Sequence, residues 1–186
     1  MNEMNQRNNL YKMILAALLC AIGIIIPLFS PIRIILEPAS FTLASHVAIF
    51  IAMFISPGVA VAVSIGTTIG FFLGGFPIVI VARAATHVIF ALLGSFALQK
   101  NPRILETPGK TAIFSLLMGL IHGAAEVVAV SPFYFNAQMT EGYYSQGFVV
   151  SILLLVGVGS VIHSMVDFAI SLVIWRPLKK FLGLHR

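Results

Sequence analysis

Ile78-Val79-Ile80-Val81-Ala82-Arg83-Ala84-Ala85-Thr86-His87-Val88-Ile89-Phe90-Ala91-Leu92-Leu93-Gly94-Ser95-Phe96-Ala97-Leu98 holds one cation and one imidazole in an otherwise apolar or small run. As a helix rising about 1.5 Å per residue, it covers roughly the 30 Å of a hydrocarbon core. Five more stretches of this kind occupy residues 13–29, 40–56, 58–74, 111–130 and 148–175. Only 9% of the residues are charged, 59% are hydrophobic, and the mean hydropathy is +1.03, a composition that needs lipid as solvent. The expected fold is an all-α integral membrane protein with six transmembrane helices in a single bundle. At 186 residues the spans and loops consume the chain, so residues 1–186 read as one domain.

Charge sets the expected orientation. Arg7 and Lys12 precede the first span, Lys100, Arg103 and Lys110 separate the fourth from the fifth, and Arg176, Lys179, Lys180 and Arg186 follow the sixth. Only Arg33 falls on the opposite side, and Arg83 lies inside a span. The positive-inside rule then predicts that both termini are cytoplasmic, in a bacterial plasma membrane. The net charge of +5 and pI near 9.7 report topology. No basic face with interleaved exposed aromatics argues for nucleic acid. The single cysteine, Cys20, lies within the first span as small apolar filler and excludes a disulfide framework or thiolate metal cluster. Residues 1–30 resemble a signal peptide only superficially. The apolar run ends in Leu28-Phe29-Ser30-Pro31, without a small-x-small cleavage site, and predicts a retained helix.

The breaks between spans differ in character. Ser56-Pro57-Gly58 predicts a tight inner turn, and residues 99–110, with Pro102 and Pro108, a polar inner loop. On the outer side, residues 30–39 place Pro31, Arg33, Glu37 and Pro38 around apolar residues, and Gly74-Gly75-Phe76-Pro77 forms a short hinge. Residues 131–147 interleave Phe133, Tyr134, Phe135, Tyr143 and Tyr144 with Asn136, Gln138, Glu141 and Gln146. Rings beside amides and a carboxylate suit a lid over a small molecule; an aromatic belt at the headgroup level is the alternative.

Small residues recur at intervals of four: Ala17 and Ala21, the series Gly66, Gly70 and Gly74, and the pair Gly119 and Gly123. Such faces let helix backbones approach closely. For the glycines, contact within this bundle is the expected use.

Ionisable residues inside spans are the sharpest local signal, because each costs on the order of 2.5–3.5 kcal/mol at a helix centre and needs a partner or a wet cavity. Three i, i+4 pairs stand out: Arg83 with His87, His122 with Glu126, and His163 with Asp167. By position along their helices, Arg83 and Glu126 face an outer cavity with His87 and His122 below them, while Asp167 falls toward the cytoplasmic half. Arg83 presents a planar fork of donors suited to a carboxylate, although an internal Arg83–Glu126 ion pair would also explain both residues. For His163–Asp167, an imidazole donating to a carboxylate needs no ligand. His46 fits either a pocket or a headgroup position. The expected substrate-binding set is Arg83, His87, Glu126, Phe76, Tyr134, Asn136 and Gln138.

Enzyme chemistry finds little support. No Gly-x-x-x-x-Gly-Lys-Ser/Thr phosphate loop, His-Glu-x-x-His, Gly-x-Ser-x-Gly or Cys/His cluster is present, and no inverted repeat of broken helices marks a self-sufficient secondary transporter. No catalytic residue, cofactor or metal ligand is assigned. Convergence of His46, His87, His122 and Glu126 keeps a metal-dependent enzyme or divalent-ion carrier as a weak alternative.

With Leu15-Ala16-Ala17-Leu18-Leu19-Cys20-Ala21-Ile22-Gly23 in the first span, Glu37-Pro38-Ala39-Ser40-Phe41-Thr42-Leu43, and the tract 66–77, nearly the whole chain resembles the substrate-binding S components of energy-coupling factor vitamin transporters. The resemblance implies that Ala17 and Ala21, with Ala16, dock on the coupling helices of a transmembrane T component, and that two cytoplasmic ATPases complete the complex. It further implies that the S component tips over in the bilayer to deliver its vitamin. Among these proteins the chain looks most similar to the pantothenate-specific type, with niacin carriers as the alternative.

Overall fold

The computed structural model describes residues 2–36 and 39–181; Glu37, Pro38 and Arg186, used in the sequence reading, lie outside the described residues. Helix α1 (Asn2–Phe29) leads into a two-stranded antiparallel hairpin, β1 (Arg33–Leu36) and β2 (Ala39–Thr42), in which Ile34 pairs with Phe41 and Leu36 with Ala39. Then come α2 (Val47–Ile55), α3 (Pro57–Leu73), α4 (Ile78–Lys100), a 3-10 turn (Pro102–Leu105), α5 (Pro108–Phe135) and the short α6 (Glu141–Ser145). A π-helical stretch (Val149–Val158) runs directly into α7 (Gly159–Phe181).

Four helical segments are long and apolar enough to cross a membrane: 6–29, 78–100, 108–135 and 149–181. The 17-residue α3 is shorter but also apolar. The expected second span, 40–56, is corrected. Only Val47–Ile55 is helical, roughly 14 Å of helix, about half a hydrocarbon core. The remainder is β2 and an irregular segment, 43–46. Non-helical backbone is tolerated at membrane depth only where protein covers it or where it lines a cavity, and here it does both. Phe41 is buried, and its ring presses so closely on Gly159 that a side-chain carbon there would stand 2.6 Å from Phe41 Cζ.

Helix α2 is the axis of the molecule. Eight of its nine residues are buried, and it packs against α1, α3, α4 and α7. Its Phe50 meets Phe90 and Phe168, and Phe54 meets Trp175, with ring centroids 5.2–5.6 Å apart. An all-apolar, fully enclosed helix has no stripe to turn toward lipid, so its sequence reads as a span although its length does not suffice.

The predicted turns are where expected. Ser56 caps α3 by accepting a hydrogen bond from the Val59 N–H at 3.3 Å, with Pro57 in the first turn, where its missing donor costs nothing. Gly75 takes φ +75°, the left-handed conformation that turns α3 toward α4. Of the glycine faces, Gly66, Gly70, Gly119 and Gly123 pack inside the bundle, whereas Gly74 is exposed at the end of α3. A carbon added at Gly66 would stand 2.5 Å from Cys20 Sγ of α1, one at Gly70 would collide with Ile24, and one at Gly123 would stand 2.7 Å from the Gly157 carbonyl. Around the described part of α1, by contrast, Ala17 and Ala21 are exposed, amid Met13, Ile14, Leu18, Ile22 and Ile25, while Ala16 is half-buried.

Candidate functional site

The three i, i+4 pairs converge on one place. Arg83 and His87 on α4, His122 and Glu126 on α5, and His163 and Asp167 on α7 meet His46, the residue that opens α2. The expectation that depth separates Asp167 from the rest fails because residues 39–46 are not helical. They carry His46 inward to the level of α7, where Asp167 receives it.

Asp167 is fully buried and organises that junction. Its Oδ1 accepts the Ala44 N–H at 2.7 Å, and its Oδ2 accepts the His46 N–H at 2.9 Å and pairs with His46 Nδ1 at 3.0 Å. These bonds hold Ala44 at φ +67°, a conformation costing a residue with a side chain about 1–3 kcal/mol. The predicted partner of Asp167, His163, stands 3.4 Å away and shares a 3.0 Å hydrogen bond with Ser45 Oγ instead.

Glu126 is the second buried anion. Its Oε2 accepts Arg83 Nη2 at 3.0 Å and the hydroxyl of Ser160, and its Oε1 lies 3.2 Å from His122 Nε2 and 3.7 Å from His87 Nε2. A buried carboxylate retains its charge only when cations and donors surround it, and Arg83 is the cation here. Arg83 keeps its Nε without a hydrogen-bond partner, although that atom is buried.

A cavity of about 310 Å³ opens beside this assembly. Arg83, His87, Glu126, His46 and His163 supply its polar wall, and Phe71 and Phe76, stacked with centroids 4.7 Å apart and planes 21° apart, supply a flat apolar one. Of the expected set, Arg83, His87, Glu126 and Phe76 are therefore brought together. Tyr134, Asn136 and Gln138 are not. Tyr134 packs against Tyr144, Phe135 and Phe148, Asn136 donates to the Pro132 carbonyl at 2.8 Å, and Gln138 is exposed. The expected lid region is partly helix: α5 continues to Phe135. Tyr143 lies nearer the site; burial pushes its hydroxyl above the usual tyrosine range, with Arg83 pulling the other way.

A larger cavity, about 430 Å³, lies at the opposite end of the bundle among Lys12, Ser95, Glu106, Trp175 and Arg176. Size alone does not choose between the two. Convergent, deeply buried polar groups do, and they line the smaller cavity.

No family model matches this chain, and no solved structure matches it. Among curated proteins it is 37% identical over 170 residues to the niacin transporter NiaX of Lactococcus lactis subsp. cremoris (strain MG1363), covering 91% of this chain and 75% of that protein. The chain belongs to the S components of energy-coupling factor transporters. It is a multi-pass membrane protein serving vitamin transport, as the apolar helices and this relative together require. The pantothenate-specific assignment expected from the sequence finds no support in this match, which is to a protein named for niacin.

Phe71, Thr67 and Ser45 are cavity residues that nothing in the sequence patterns singled out as such. Thr67 lies one residue beyond Gly66 on α3, and Ser45 precedes His46; both line the cavity. Ser45 carried no spacing signal, because its segment read as a helix. Thr67 was readable in principle, as a hydroxyl amid the small-residue face that α3 turns to α1.

Proposed function

We propose that the chain is the niacin-binding S component of such a transporter, taking nicotinate in the cavity beside Arg83. The observation that carries this reading is the cavity itself: small, walled on one side by the stacked Phe71 and Phe76, with the Arg83 guanidinium in its polar wall. A flat aromatic acid matches such a slot, ring against ring and carboxylate against the guanidinium fork. Tyr134, Asn136 and Gln138, polar groups that would suit the hydroxyl and amide groups of pantothenate, are absent from the lining. The name of the relative supports the same vitamin.

In this reading both termini are cytoplasmic, the hairpin and the cavity face outward, and the exposed Ala17–Ala21 face of α1 docks on the T component. ATP hydrolysis by two partner subunits drives the tipping that delivers the vitamin. The exposure of that alanine face supports a partner outside the bundle, because nothing among the described residues packs on it.

Equilibrium binding of the purified chain to nicotinate, nicotinamide and pantothenate tests the substrate. Nicotinate is expected to bind at least about tenfold more tightly than pantothenate, a difference of about 1.4 kcal/mol. Preference for pantothenate would overturn the assignment and leave the S-component membership intact.

A further inference from the structure

The floor of the site contains more imidazole than an anion-binding slot requires. His46, His87 and His122 sit edge to face, with ring centroids 4.7, 4.7 and 5.0 Å apart, and all three are more than nine-tenths buried. One ring nitrogen from each lies within 4.8 Å of the others. His122 Nδ1 has no hydrogen-bond partner, and Nε2 of His122 and Nε2 of His87 face only Glu126 Oε1, at 3.2 and 3.7 Å, without hydrogen-bond alignment. Buried polar nitrogens without partners are uncommon, and three in one cluster indicate a missing ligand.

Charge points the same way. Among the described residues the assembly holds two buried carboxylates, Glu126 and Asp167, and one guanidinium, Arg83. That leaves one negative charge in excess around a cavity whose proposed occupant is itself an anion. A divalent cation on the imidazoles reverses the sign and leaves one positive charge to meet the ligand.

We propose that His46, His87 and His122 form a binding site for a divalent transition metal of the zinc type, with Glu126 Oε1 as the fourth ligand. The supporting shell is present. Asp167 fixes His46 through Nδ1 and leaves Nε2 as the coordinating atom, the carboxylate–histidine arrangement common around zinc. Glu126 Oε1 already stands 3.2 Å and 3.7 Å from the two other imidazoles. Metal–nitrogen bonds of about 2.1 Å place tetrahedral ligand nitrogens about 3.4 Å apart. The rings would therefore draw in by about an ångström, within the reach of side-chain rotation. The second cluster able to hold an ion, His46, His163 and Asp167, is the weaker candidate, because Asp167 and His163 are already engaged in hydrogen bonds. Imidazole-rich sites favour zinc, copper, nickel and cobalt over magnesium or calcium.

The charge argument rests on the niacin reading; the geometry does not, and the experiment needs no vitamin. Tag-free protein in lipid nanodiscs, stripped with a chelator, is titrated with cobalt(II) and then with zinc(II). The expected result is one cobalt per chain, with the intense visible bands of a four-coordinate site, displaced stoichiometrically by zinc. His87→Gln and His122→Gln should each weaken zinc binding by at least about a hundredfold, the upper end of what loss of even an outer-shell partner costs. A wild-type protein that takes up neither metal below millimolar concentration, or variants that bind as tightly as wild type, would overturn the proposal. The excess negative charge would then be met by a proton on the imidazole cluster, and the niacin reading would stand unaffected.

Discussion

Asp167→Asn is the most informative single change to the site's architecture. The side chain keeps its shape but loses its charge and one acceptor. One amide oxygen can still take the Ala44 N–H, now held at 2.7 Å. The amide nitrogen then faces the His46 N–H, 2.9 Å from the present Oδ2, donor against donor. His46 can recover by shifting its proton so that Nδ1 accepts, which removes one of the two conflicts. What remains is one buried backbone N–H without an acceptor, about 1–3 kcal/mol, together with the charge assistance lost from the retained bonds. The sum is about 2–4 kcal/mol of stability, concentrated on residues 43–46 because Asp167 fastens that segment to α7. The assay is equilibrium unfolding in mixed micelles, with nicotinate binding measured in parallel. Affinity should fall as well, since the loosened segment carries Ser45 and His46 into the cavity wall. A loss of stability below about 1 kcal/mol with unchanged affinity would refute the claim that Asp167 organises the site.

Arg83→Ala should cost nicotinate about 2–5 kcal/mol of binding, the range for truncating one member of a buried charge pair, while nicotinamide, with no carboxylate, loses far less. Equal losses for acid and amide, measured by titration calorimetry, would mean that Arg83 holds Glu126 in place and does not read the ligand's charge. Ala17→Trp and Ala21→Trp lie on an exposed face, so they should abolish assembly with the T component and uptake in cells, with vitamin affinity within about twofold of wild type. A fall in vitamin affinity alongside assembly would assign those alanines to packing within the bundle.

How much of this was readable beforehand depends on the period of each segment. The pairs Arg83–His87, His122–Glu126 and His163–Asp167 were found because helical spacing puts them on one face and because a membrane makes every buried charge conspicuous. The same spacing rule predicts glycine packing within the bundle, although it does not say that α3 meets α1 and α5 the π stretch. The hairpin does not follow from it. Residues 40–56 form an apolar run of spanning length, and a run that is apolar on all sides cannot distinguish an enclosed half-helix from a lipid-facing whole one. The available signal lay at its edge, in the β-branched Ile34 and Ile35 of β1 just before it and in the Phe41-Thr42 end of β2 within its first residues. Read as one helix, 40–56 leaves His46 near the outer end of a span and apart from Asp167, whereas the hairpin brings the two together. Asn136 and Gln138 were drawn into the site by composition alone, and no periodicity argument stood behind them.

The most direct measurement is a structure of the protein with nicotinate bound. The account predicts the pyridine ring against Phe71 and Phe76, with the carboxylate within hydrogen-bonding distance of the Arg83 guanidinium. Nicotinate found instead in the cavity at the opposite end, among Lys12, Trp175 and Arg176, would contradict it.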